Sequence, residues 1–99
     1  MNAKSHKTEA TDYFEPSEIK PLLGEFLEDQ VLILRPAKLD VLYRDRENML
    51  WEAHGGFGCD PGAMGQAVIA TCLADGETIR WNRSDFAGIY TGPRPQAKA

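Results

Sequence analysis

The chain lacks the features that would assign it quickly. Its 99 residues hold two cysteines, too few for a disulfide scaffold. No apolar run approaches the roughly 18 residues needed to span a bilayer as a helix. The opening MNAKSHKTEATDYFE has no apolar stretch behind its lysines, so no secretory signal is expected there. With no cysteine framework either, a cytoplasmic location with free thiols is the expectation. What is present is ordinary for a globular chain: 42% apolar and 26% charged residues, enough to build one small domain with a thin core.

Strong positive charge is missing too. The net charge is −4, from 11 basic and 15 acidic residues. Residues 1–30 carry 3 Lys against 7 acids, residues 31–60 carry 4 basic against 5 acidic, and residues 61–99 carry 4 basic against 3 acidic. Non-specific nucleic-acid binding needs a positive field, and no segment supplies one. Nucleic acid is therefore not expected as a direct ligand. The acids are not clustered into a run, so the asymmetry reads as a solvated face rather than a copy of a DNA backbone.

Residues 1–12 mix small polar and charged side chains without period and read as a tail. Residues 92–99, with two prolines and no large apolar side chain, read as a second tail. A single domain over residues 13–91 is expected between them. Within it, Ile19, Leu22, Leu23, Phe26 and Leu27 recur at helical spacing, which predicts a helix over residues 17–29 with Ser17 as its cap. Pro21 fits only within the first turn, so a start at Lys20 or Pro21 is the alternative. Val31–Leu34 suits either a strand or the tail of the helix, and residues 37–47 suit either a helical turn or a surface loop. Met49–Ala53 reads as a strand with Met49, Trp51 and Ala53 on one face.

The clearest local pattern is a hairpin. QAVIATCLA precedes Asp75-Gly76, and ETIRWNR follows. A two-residue Asp-Gly loop predicts a type I′ turn with both residues at positive φ. Its register would set Cys72 against Ile79, Ala70 against Trp81 and Val68 against Arg83 on an apolar face. Leu73, Thr71 and Ile69 would lie against Thr78, Arg80 and Asn82 on a half-exposed one. Ser84-Asp85 then turns, and Phe86–Tyr90 returns as a strand.

Between the Trp51 strand and the hairpin, Gly55 to Gly65 holds five glycines in eleven residues. A phosphate cradle would need those glycines to open a helix, with a lysine following; a strand follows and no lysine is there. His54, Cys59 and Cys72 have the chemistry of zinc ligands but not the paired spacing. Cys59 with His54 could form a nucleophile and its base, yet nothing nearby would lower the thiol pKa. Asp60 and Asp85 could act as a carboxylate pair, but both stand at turns, where Asp bonds the backbone. No catalytic residue, metal or cofactor is assigned on these grounds.

Arg80, Asn82 and Arg83 stand out among the polar residues. Arginine beside an aromatic residue on a sheet can anchor a protein partner. Phe57, presented by Gly56 and Gly58, would join Arg80 and Arg83 in one contact surface, or else fold inward and plug the end of the small core.

The motifs Trp51-Glu52-Ala53, GGFGCDPGAMGQAV and LADGETIRWNRSDFAGI together resemble a small domain of no established function, carried by proteins of mobile and conjugative elements of gut Firmicutes. The shared pattern ends on Arg83, Asp85, Phe86 and Gly88 and covers about residues 42–90, leaving the first 41 outside. The resemblance brings no activity with it. It implies a bacterial element that must survive host defences. The expected fold is α+β: one N-terminal helix on an antiparallel sheet of four or five strands that could curl into a half-open barrel. The expected function is a non-enzymatic protein-binding module of a mobile element, with an anti-defence inhibitor of the anti-CRISPR kind as its sharpest form. Its partner would be a host or element protein, with no membrane involved. A nucleic-acid-associated accessory protein is the alternative, and a small thiol enzyme using Cys59 a more distant one.

Overall fold

The computed structural model describes residues 8–22, 30–55 and 67–93. They form one antiparallel sheet of six strands: β1 (Ile19–Lys20), β2 (Val31–Leu34), β3 (Leu50–Gly55), β4 (Ala67–Cys72), β5 (Thr78–Asn82) and β6 (Phe86–Tyr90). The spatial order is β1-β6-β2-β3-β4-β5, so the sheet is open, with β1 and β5 at its edges. Helical structure among the described residues is limited to short turns. The longest is α1 (Arg46–Met49), whose cap Asp45 accepts a hydrogen bond from the Asn48 amide.

β2 settles the ambiguity of its sequence. All four of its residues are buried, as expected of a central strand covered on both faces. Leu32 and Leu34 join Trp51, Ala53, Val68, Ala70, Cys72, Phe86 and Ile89 on one face. Val31 and Ile33 join Leu50, Met49, Tyr90, Ala10 and Phe14 on the other. A bulge in β6 makes this division possible: Gly88 lies opposite Ile33 and Phe86 opposite Leu34, so Ala87 is the extra residue. Phe86 and Ile89, three apart, thereby reach the same face.

Several expectations are corrected. The sheet has six strands rather than four or five, and the expected helix over residues 17–29 does not begin at Ser17. A 3-10 turn spans Pro16–Glu18 and leads directly into β1, which pairs Ile19 with Tyr90 and Lys20 with Ile89. Backbone pairing to β6 wins over helical periodicity there, and Pro21 removes an amide that a longer helix would use. Residues 23–29 of that expectation lie outside the described residues. Packing begins inside the segment read as a tail, since a turn at Ala10–Asp12 buries Ala10. Met49 belongs to α1, not to a strand, and packs on the face opposite Trp51.

The hairpin exists with a different loop. Ala70 pairs with Ile79 and Val68 with Trp81, two residues from the expected register. The Cys72 amide donates to Glu77 and the Gly76 amide to Cys72, which closes a four-residue loop from Leu73 to Gly76. Gly76 has positive φ, at 78°, and the four-residue loop stands in place of the expected two-residue type I′ turn. A shift of two leaves every side chain on its expected face, because strand side chains repeat every two residues.

Candidate functional site

The Val41–Tyr43 turn carries the most exposed of the large apolar side chains among the described residues. Val41 is 64% exposed, Leu42 85% and Tyr43 59%. The turn is made by local backbone bonds, Tyr43 amide to Asp40 and Arg44 amide to Val41. Its side chains thus stay outside the core while Leu39, just before it, packs against both core faces.

Beside this turn lies an open groove of about 440 Å³. Its apolar lining includes Leu39, Tyr43, Ile79 and Trp81, with Trp51 and Cys72 deeper in the core. Trp51 and Trp81 meet edge-to-face with ring centroids 5.4 Å apart. The Trp51 indole nitrogen donates to the Asn48 carbonyl at 2.8 Å, whereas the buried Trp81 nitrogen has no acceptor among the described residues. Asp40, Asp75 and Glu77 line the same groove. The one cation among its described lining residues, Lys38, is drawn 3.0 Å from Asp85 on the neighbouring turn. The groove therefore presents apolar and aromatic surface within an acidic border.

The residues singled out from sequence divide. Gly56, Phe57 and Gly58 lie outside the described residues, as do Cys59 and Asp60. Arg80 is exposed on β5, directly opposite Ile69, and points away from the groove because it alternates with Ile79 and Trp81. Arg83 is half-buried in the turn Arg83–Asp85 and is not free of partners. The pairing with Val68 that was to bring Arg83 to the base of the glycine loop is replaced by Val68 with Trp81.

Among the described residues, the chemistry-bearing side chains are kept apart. Cys72 is buried; burial pushes its thiol pKa up, away from the range of a reactive thiolate. His54 lies within 2.6 Å of the Thr71 hydroxyl, which itself lies 2.7 Å from Thr78. Thr71 and Cys72 are adjacent in β4 and so face opposite sides of the sheet; the His54 and Cys72 side chains do not form one site. Asp85 accepts from the Asn82 amide at 2.8 Å and meets Lys38, which is the turn-binding role expected of it. No cluster of three or more metal-type ligands occurs among the described residues, and none of their helices is long and apolar enough to cross a membrane.

Sequence reasoning missed Val41–Tyr43 and the groove. The residues 37–47 carried a legible clue, three apolar side chains between Asp40 and Arg44, but helical and loop readings fitted it equally. Comparison with family models, curated proteins and solved structures gives no match.

Proposed function

We propose that the chain is a protein-binding module that acts by contact rather than by catalysis. The observation that carries this reading is the exposed Val41-Leu42-Tyr43 strip beside the groove of Trp81. Contiguous exposed apolar surface with an aromatic floor and polar rim is the composition of an interface centre. The mobile-element setting and an anti-defence role remain the specific form of this proposal; their support is the resemblance over residues 42–90. Phe57, Arg80 and Arg83 are proposed contributors at a second part of the contact surface.

The test is Leu42→Asp, with Tyr43→Ala beside it. Both side chains are exposed, so the melting temperature should move by no more than about 0.5 kcal/mol of stability allows. Capture and crosslinking of the cognate protein from the source host should fall by an order of magnitude or more, as for an interface anchor worth about 2 kcal/mol. Unchanged capture by both variants would refute this placement of the interface.

A further inference from the structure

The open edge of the sheet bears on what the partner presents. Among the described residues β5 has a strand on one side only: β4 pairs with it, and the order ends there. The direction of its free backbone groups follows from two hydrogen bonds. The Cys72 amide donates to Glu77 at 2.8 Å, and the Leu73 amide donates to Leu50 at 3.0 Å. In an antiparallel ladder these directions alternate. Ile79 and Trp81 therefore turn their amides and carbonyls inward to β4, and Thr78, Arg80 and Asn82 turn theirs outward. The Asn82 amide is already held by Asp85. Thr78 and Arg80 each keep an outward amide and carbonyl, with no partner among the described residues.

We infer that β5 takes up an extended, apolar-and-basic segment of the partner protein as a seventh strand. This rests on the protein-binding reading above and names what is bound. An added strand would bond Thr78 and Arg80 through its backbone. Its side chains on one face would run alongside Ile79 and Trp81, where the groove is apolar. At the hairpin end they would meet Asp75 and Glu77, with Asp40 across the groove. Lys or Arg there complements the acidic border, whose one lysine is occupied by Asp85. A second copy of this chain fits less well: antiparallel self-pairing about the centre of β5 sets Arg80 against Arg80, and like charges directly opposite are destabilising.

The experiment uses the full chain and three synthetic peptides. The first is Lys-Thr-Val-Thr-Val-Thr, which puts Lys and both valines on one face, the second replaces Lys by Glu, and the third is the first peptide methylated on alternate backbone nitrogens. Binding is read by fluorescence anisotropy, and the Thr78 and Arg80 amides by hydrogen exchange. The basic peptide should bind at least about tenfold more tightly than the acidic one at low salt. It should slow exchange at Thr78 and Arg80, and methylation should abolish both effects. Glu77→Lys should reverse the preference between the first two peptides. Equal binding of the methylated peptide, or binding without protection at Thr78 and Arg80, overturns strand addition. So does the absence of binding by any peptide at millimolar concentration; if Leu42→Asp still abolishes capture, the protein-binding reading survives that failure. Protection that grows with protein concentration alone, together with dimer formation, overturns the choice of occupant in favour of a second copy. Protected β5 amides with Leu42→Asp fully competent in capture uphold strand addition and refute the Leu42 interface.

Discussion

Single residues hold this fold at points where the backbone has no alternative. Asp85 is buried, accepts the Asn82 amide, and meets Lys38, while its own carbonyl accepts from the Arg35 amide. It thus ties the end of β5 to the loop after β2. Asp85→Ala should cost about 1–3 kcal/mol, since the Asn82 amide and Lys38 both lose a partner. Asp85→Asn keeps an acceptor and should recover part of that loss; equal denaturant midpoints for the two variants would contradict the assignment. Gly76 is the second such point. Its φ is 78° and nothing lies within 4 Å of a built Cβ, so a side chain there meets strain and not collision. Gly76→Val should therefore destabilise by about 1 kcal/mol or more, with a lowered melting temperature as the readout. Gly88 has the opposite reason: a Cβ would come within 2.7 Å of the Lys20 carbonyl, where β1 crosses close to β6.

A second ion pair joins α1 to the N-terminal turns. Arg46 of α1 bonds both Glu18 oxygens at 3.0 Å, donates to the Tyr13 carbonyl, and lies 4.5 Å from the centre of the Phe14 ring. One side chain thereby pins the N-terminal turns over the face formed by Val31, Ile33, Leu50 and Tyr90. Hydrogen bonding from Arg46, helped by the Glu15 amide, holds the Glu18 carboxyl below its ordinary pKa. The unfolded chain therefore takes up the proton first. The stabilisation is present above the ordinary carboxylate pKa and is lost as pH falls through the lowered value in the folded chain. Acid titration of melting temperature should show a drop in that acidic window for the native protein and a smaller one for Glu18→Gln. Identical profiles would mean the pair contributes nothing to stability. The described part of the expected helix, residues 17–22, is not α-helical. Ile19 and Leu22 keep the spacing of a helix, yet Ile19 packs with the N-terminal face and Leu22 with the opposite one.

At the scale of the whole molecule, a six-stranded open sheet divides a small core into two faces. Cys72 reports on the integrity of one of them. It packs among Trp51, Ala70 and Val68, and burial raises its thiol pKa. In a Cys59→Ser background, a thiol reagent should label Cys72 only as fast as the sheet opens, and mild denaturant should accelerate labelling steeply. Labelling at the rate of a free thiol in native buffer would mean that this face is not closed.

The sequence by itself determined the period-two segments. The runs flanking Asp75-Gly76 marked β4 and β5 and put Cys72, Ile79 and Trp81 on the apolar face, and Phe86–Tyr90 was legible as a strand returning after the Ser84-Asp85 turn. That assignment survived a register error of two because side-chain facing depends only on parity. The true loop was not legible, since Asp75-Gly76 suits both a two-residue turn and the end of a longer one; the Cys72–Glu77 hydrogen bond decides between them. Only the tertiary structure placed β2 at the centre, covered on both faces, because four consecutive apolar residues have no period. It alone paired Ile19–Lys20 with β6 and brought the Val41–Tyr43 turn beside Trp81, nearly forty residues away. Those contacts join distant parts of the chain, and no local pattern encodes which distant partner a strand or turn will find.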